Sequence, residues 1–267
     1  MRMRKATFRF YAELNDFLPR ARRGKAFQAQ FSGHETVKHV LESLGAPHPE
    51  IALILINGTS VDFNASIEAG DRVSVYPRFS ELDLSEQSPL QEALPDQVAF
   101  ILDIHLGKLA RNLRLLGINA LYGRDLSDPE LARLSREKDR VLLTRDRGLL
   151  KRNAVRWGYI LRSEDPREQT IQVIRRYDLI DQVQLFYRCP RCNGILGQAD
   201  KDEVREKLKP LTRKYYDDFQ RCRKCGQVYW QGSHFQQLAE YLRRILEEAA
   251  EGVENELVPN LDCLSNL

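Results

Sequence analysis

Between Val98 and Leu150 one pattern recurs three times: a short apolar run, an aspartate at or just past its end, then a stretch that continues the chain. Val98 to Leu102 is closed by Asp103, Ile118 to Tyr122 is followed within three residues by Asp125, and Val141 to Thr144 is followed by Asp146. Continuous apolar runs this short suit strands buried on both faces. Between the first two, Leu106, Leu109, Ala110, Leu113 and Leu116 fall on one helical face, and Gly117 ends the run. The next connection opens with Ser127-Asp128-Pro129-Glu130, a capping box with proline in the first turn. Strands joined by right-handed helical crossovers form a parallel sheet, and ligands bind such sheets outside the carboxyl ends of the strands. The pattern therefore predicts an α/β fold with its aspartates gathered at that edge.

A single aspartate at a strand end is most simply a turn or N-cap residue. If several converge, their repulsion raises their pKa values unless a cation neutralises them, and hard oxygen ligands with room for water suit Mg²⁺ or Mn²⁺. Such a centre activates water and stabilises a phosphoryl transition state. Asp103 and Asp146 are the candidate ligands and catalytic residues. Asp125 and Asp128 compete for a third place, with Asp125 favoured because Asp128 already has a capping explanation.

The runs Phe100-Ile-Leu-Asp103, Leu106-Gly-Lys-Leu-Ala-Arg-Asn-Leu-Arg-Leu-Leu-Gly117 and Leu142-Leu-Thr-Arg-Asp-Arg147 resemble the PIN-like RNase domain named for the C-terminal part of the Mut-seven exonucleases. The similarity continues through the cysteines to Tyr229-Trp-Gln-Gly-Ser-His234 and so covers roughly Asp96 to Gln237. It implies a metal-dependent nuclease fold, a PIN-like parallel sheet with flanking helices, and an appended zinc ribbon. Thr144-Arg145-Asp146 matches the Thr-x-Asp element of PIN domains and Asp103 their first acid; the fourth acid of a full PIN site has no clear counterpart.

With 267 residues the chain exceeds a usual single domain. No apolar stretch approaches the length of a membrane span, and Met1-Arg-Met-Arg-Lys-Ala-Thr7 lacks the apolar core of a signal peptide, so a cytoplasmic protein is expected. Charge is unevenly placed. Residues 98–188 carry 18 basic against 12 acidic side chains and residues 189–234 carry 10 against 6, whereas both flanks are net acidic. A basic surface around an acidic metal centre fits a phosphodiester substrate. Lys108, Arg111, Arg145 and Arg147 flank the aspartates, and Arg162 ends a further strand expected at Trp157 to Leu161; these are the candidate nucleic-acid contacts. Asp165-Pro166-Arg-Glu168 reads as a second capping box.

Residues 1–80 read as strand, strand, helix, strand, strand, the order of a β-grasp (ubiquitin-like) domain. Arg9-Phe-Tyr-Ala-Glu-Leu14, Asn57-Gly58 and Gly70-Asp-Arg-Val73 are similar to the ubiquitin-like sulfur carriers, but no terminal glycine pair follows Tyr76-Pro-Arg-Phe79. That leaves a protein-docking, RNA-contacting or structural role in place of carrier chemistry. His34, His39 and His48 lack ligand spacing and read as surface or cap residues. Residues 81–97 form a linker and 98–188 the nuclease domain.

Cys189-Pro-Arg-Cys192 and Cys222-Arg-Lys-Cys225 read as two zinc knuckles that complete a tetrahedral Cys₄ structural site, with residues 200–219 as a helical excursion between them. This ribbon spans 189–237, and 238–267 is a helix with an acidic tail in which Cys263 is a plain thiol. Phe219, Tyr229, Trp230 and Phe235 lie among cations near the second knuckle and suit either base stacking or the ribbon's own core. The whole predicts a metal-dependent ribonuclease with structural zinc and catalytic Mg²⁺ or Mn²⁺. It would act on RNA, with tRNA or another structured RNA as the target class. A non-catalytic RNA-binding or adaptor protein is the alternative.

Overall fold

The computed structural model describes residues 3–33, 35–78, 88–90, 93–123 and 125–251. His34, most of the expected linker and the tail from residue 252 onward, Cys263 included, lie outside the described residues.

The N-terminal elements are β1 (Arg4–Phe10), β2 (Phe27–Phe31), α1 (Val37–Leu44), β3 (Ile51–Ile56), β4 (Thr59–Ser60) and β5 (Arg72–Pro77). Next come β6 (Phe100–Leu102), α2 (Gly107–Leu115), β7 (Ala120–Tyr122), α3 (Asp128–Glu137), β8 (Val141–Thr144), α4 (Arg147–Leu150), β9 (Gly158–Ile160) and α5 (Pro166–Tyr177). The last third holds β10 (Leu196–Ala199), α6 (Lys201–Val204), α7 (Pro210–Tyr215), β11 (Phe219–Cys222), β12 (Val228–Trp230) and α8 (Phe235–Ala250). Two compact units divide the chain: residues 1–101 with 126–160, and residues 102–125 with 161–267. The α/β sheet has the strand order β7-β6-β8-β9, and the division runs through β6.

In the first unit the order β2-β1-β5-β3-β4, with β1 antiparallel to β2 and parallel to β5, is that of a β-grasp sheet. Val37, Val40 and Leu41 give α1 its buried face, and the Thr36 hydroxyl accepts from the His39 N–H as the helix cap. Gly45 ends α1 at φ 119°, and a Cβ there would stand 2.7 Å from the Phe17 carbonyl oxygen, so the stop is specific to glycine. Between β1 and β2 the Arg20–Arg22 stretch winds a 3₁₀ turn. The two-residue β4 was too short for any periodicity. It exists because Asn57 and Gly58 both take positive φ, as a tight hairpin turn from β3 requires.

The same unit contains β8 and β9, which run parallel with Leu142 opposite Gly158 and Thr144 opposite Ile160. β9 is an edge strand, and an unpaired edge N–H needs a partner. Glu50, fully buried, supplies one: its Oε1 accepts from the Ile160 N–H at 2.6 Å. His48, expected as a surface or cap residue, is buried beside it. Its Nε2 lies 2.9 Å from the Val155 carbonyl and must therefore donate, while Nδ1 lies 2.7 Å from Glu42 Oε1. Arg147 donates to the Asp16 and Phe17 carbonyls and covers the Phe17 ring, and Lys38 donates to Asn153.

A pH dependence follows from the His48 contact. Burial pushes the Glu42 carboxyl up, but the His48 hydrogen bond and charge outweigh it and hold the group below the usual carboxylate value of 4.5. A depressed folded-state pKa contributes stability above the unfolded value that is lost as pH falls through the folded one. Thermal denaturation of the protein between pH 6 and pH 3 is expected to show a loss of stability starting near 4.5, and Glu42→Gln should flatten that part of the profile.

In the second unit α2 and α5 meet α8. Asn112 links them, donating to the Thr170 hydroxyl and the Tyr241 hydroxyl at 3.1 Å each. Asp165 caps α5 through the Arg167 N–H, but Glu168 pairs with the Arg167 side chain, so the expected box is only half formed. The strands β10-β11-β12 make an antiparallel sheet, and the expected excursion between β10 and β11 is built from α6, a 3₁₀ turn and α7. Ala199, Val204, Leu208, Phe219 and Val228 form its core, with Tyr216 packed against them. No helix among the described residues is long and apolar enough to cross a membrane.

Candidate functional site

Asp103 follows β6 directly and N-caps a short 3₁₀ turn, its Oδ1 accepting from the His105 N–H at 2.8 Å. Asp146 follows β8 after one residue and N-caps α4, its Oδ1 accepting from the Gly148 N–H at 2.7 Å. The Thr144 hydroxyl accepts from the Asp146 N–H, which fixes the approach of the chain to that cap. The two carboxylates thus make the same local turn, but Asp103 is buried and Asp146 exposed. Asp125 is exposed in a turn, and Asp128 sits exposed in the first turn of α3 with its carboxylate 3.9 Å from Arg152. The capping box before it is formed in full, Ser127 and Glu130 bonding reciprocally. Lys108, Arg111 and Arg145 are exposed; Arg162 is half-buried, its N–H 3.4 Å from Gln172. Among the described residues the aspartates do not form a group of three or more ligand atoms within 4.8 Å of one another.

The four cysteines do form such a group. Cys189 and Cys225 sulfurs are 3.8 Å apart and those of Cys192 and Cys222 3.4 Å. Four thiolates at about 2.3 Å from one zinc stand about 3.8 Å from each other, so the spacing fits a tetrahedral ion. Each knuckle closes on itself: the Asn193 N–H donates to the Cys189 carbonyl and the Gly226 N–H to the Cys222 carbonyl, both at 2.9 Å. Asn193 and Gly226 occupy equivalent places, at φ 67° and 70°, and asparagine is the side-chain-bearing residue best suited to that region. Gly194 has no such freedom to vary, because a Cβ would stand 2.7 Å from Lys224 Cβ and 2.9 Å from the Cys222 sulfur.

Burial pushes the Cys222 thiol up, but the N–H groups of Cys225 and Lys224, each 3.4 Å from its sulfur, bring it down to about 7. Burial pushes Cys192 up to about 12. Tyr229 places its hydroxyl 3.0 Å from the Cys189 sulfur, and both burial and that sulfur raise its pKa. It belongs to the ribbon's interior, packed with Cys189, Leu196 and Cys222.

Residues 98–242 match the Mut7-C RNAse domain family, which is more than half of the chain. The chain belongs to that family. Residues 3–83 match a second family, the Mut7-C ubiquitin domain, so the N-terminal β-grasp unit is the ubiquitin-like module that carries the same name. A search of the curated proteins finds no match. Among solved structures, the crystal structure of SAMP1 from Haloferax volcanii is similar at 20% identity, covering 28% of this chain and 97% of that one, with a TM-score of 0.24. The solution structure of the Haloferax volcanii HVO 2177 protein is similar at 21% identity, covering 30% and 87%, with a TM-score of 0.25.

One residue that holds the RNase domain's ribbon in place was not singled out from the sequence. Arg114 is buried in α2, and its guanidinium donates to the Ala120, Pro190 and Arg191 carbonyls at 2.8, 3.1 and 3.1 Å. Burial lowers its pKa, and the neighbouring Cys192 and Cys189 oppose that change. The signal lay in its position four residues after Ala110 on the apolar face, where a cation needs buried partners. Arg114→Met should leave three carbonyls without their donor. The expected cost is about 1–3 kcal/mol for each one left unsatisfied, read by chemical denaturation, with a lowered metal content in the purified protein.

Proposed function

We propose that this chain is a metal-dependent ribonuclease that cleaves phosphodiester bonds at its acidic strand ends. Asp103 and Asp146 would hold Mg²⁺ or Mn²⁺, with Asp125 or Asp128 as a third carboxylate, and structural zinc would fill the Cys₄ cluster. The observation that carries this reading is the repeated turn at Asp103 and Asp146 in a member of an RNase family: each follows a strand of one sheet and caps the next turn through one oxygen. Mg²⁺ keeps several waters and needs only one or two protein carboxylates, so a pair of acids is a sufficient donor set. When bound, such an ion lowers the pKa of its water and polarises the phosphoryl oxygens.

The remaining roles fall to the chain itself. The cap bonds fix the carboxylate rotamers, so little ordering is left for the moment of binding. Lys108, Arg111, Arg145 and Arg162 offer positive charge for the phosphate backbone. Arg147 is committed to the Asp16 and Phe17 carbonyls, which makes it a tie to the ubiquitin-like module as well as a cation. The substrate class is RNA, with tRNA or another structured RNA as the first to try, in a cytoplasmic setting; a protein partner for the ubiquitin-like module is part of the same proposal.

The alternative, a non-catalytic RNA-binding or adaptor protein, is favoured by one observation: both aspartates have a complete structural explanation as caps. Incubation of the protein with mixed RNA substrates and Mn²⁺ separates the readings. Metal-dependent cleavage that disappears in Asp146→Asn supports the nuclease. Binding without cleavage supports the adaptor.

A further inference from the structure

The described part of the second unit contains a groove of about 930 Å³ that shares only Arg111 with the residues of the proposed site. Its walls carry the rings of Tyr215, Trp230, Phe186 and Phe235. Large apolar side chains in water need an explanation when they cluster, and here Leu211, Tyr215 and Trp230 are 70%, 65% and 38% exposed and all line this one groove. They are not the ribbon's core, because that core is already made by Ala199, Val204, Leu208, Phe219 and Val228. The sequence left both uses open for the aromatic group. The structure divides it: Phe219 and Tyr229 are interior, while Trp230 faces the groove.

Two further features point to a ligand. Phe186 is held at φ 57°, a conformation costly for a bulky side chain, with its N–H on the Leu115 carbonyl and its ring 4.8 Å from that of Phe235. The rest of the lining is polar in a particular way. Gln198, Gln220 and Gln231 supply amides that both donate and accept, Gln198 and Gln220 being directly opposed across β10 and β11, while the Gln227 amide is already bonded to the Val228 carbonyl and to Arg191. Arg111 and Arg188 are the cations of the lining and Asp218 is its acid.

We infer that this groove binds a short run of unpaired nucleotides of an RNA strand, with bases stacked on Trp230 and Tyr215, base edges on the glutamine amides and phosphates toward Arg111. Rings, amides and cations together match a base, its edge and its backbone, whereas an apolar peptide helix would cover the Gln198, Gln220 and Gln231 amides without offering them partners. The excess of 10 basic over 6 acidic residues across 189–234 gives the groove a field that attracts a polyanion. The inference deepens the ribonuclease reading and rests on RNA being the substrate.

The test uses full-length protein carrying Asp146→Asn and a fluorescein-labelled single-stranded 12-nucleotide RNA, followed by anisotropy. Trp230→Ala and Tyr215→Ala should each weaken binding about tenfold, as the loss of one stacked base predicts, with metal content and melting temperature unchanged. Arg111→Gln should weaken it less and reduce its salt dependence. Unchanged affinity in the folded double variant Trp230→Ala/Tyr215→Ala overturns the inference while leaving the nuclease reading intact, provided that the protein without Asp146→Asn still cleaves RNA. Absence of both binding and cleavage overturns the two together. Quenching of Trp230 emission by an apolar peptide and not by RNA would assign the groove to a protein partner, which also overturns it.

Discussion

Asp103→Asn and Asp146→Asn are each expected to lower metal-dependent RNA cleavage by orders of magnitude while the protein stays folded. The reason lies in what asparagine keeps. Each aspartate caps its turn with one side-chain oxygen, at 2.8 Å to the His105 N–H and 2.7 Å to the Gly148 N–H, and asparagine caps as well as aspartate. The charge that would bind a divalent ion is what disappears. Alanine makes the informative contrast, since it removes the cap and costs about 0.5–2 kcal/mol of stability. A purely structural aspartate would therefore give active asparagine variants and destabilised alanine ones. A metal-binding aspartate gives inactive variants of both kinds, with only alanine lowering the melting temperature. Cleavage rates with Mn²⁺ beside thermal melts of the four variants decide the matter, and normal cleavage by both asparagine variants would remove the nuclease reading.

Cys222→Ser carries the other large effect. Purified wild-type protein should contain close to one equivalent of zinc, and the variant should lose it. In zinc-finger peptides the ion contributes roughly 10–16 kcal/mol of apparent binding free energy at pH 7, and that free energy is folding free energy. Cys222 is the most exacting of the four positions: two N–H groups point at its sulfur, Gly194 is kept bare to make room for it, and it is buried. Serine in its place should unfold the β10-β11-β12 sheet, seen as a lost cooperative transition in thermal melts alongside metal analysis. Because the ligands must be thiolates, zinc retention by the wild type should also fall as the solution is acidified. Metal-free wild-type protein with an unaltered melting curve would rule the site out.

Features encoded by neighbouring residues were readable before any coordinates. The run Val141 to Thr144 is β8, the Ser127–Glu130 box is formed as written, and the two Cys-x-x-Cys pairs meet despite their long separation. The order of the N-terminal strands was legible for the same reason, since alternation and glycine stops are local signals. What escaped depends on residues far apart in sequence. Nothing near His48 announces that its partners are Glu42 and the Val155 carbonyl, and nothing near Glu50 points to Ile160. The place of Arg114 on the apolar face of α2 signals a cation in need of buried partners, but nothing near it says that these are the Pro190 and Arg191 carbonyls. The candidate acids divide the same way: the capping of Asp103 and Asp146 is local, whereas the shared cation proposed for them would depend on residues far apart in sequence.

Glu50 bears on where this chain can be cut. A fragment starting at Val98 keeps every residue matched to the RNase family, yet it loses the carboxylate that accepts from Ile160 on the edge strand β9. It also loses Phe17, against which Arg147 rests. The fragment would enter solution with an uncapped, apolar strand margin, a template for pairing with its own copies. Such a protein should precipitate or run as large species on a sizing column where the full chain does not. The ubiquitin-like residues would then act as a shield for the β9 edge, and a coexpressed piece covering residues 1–97 should rescue the fragment in trans.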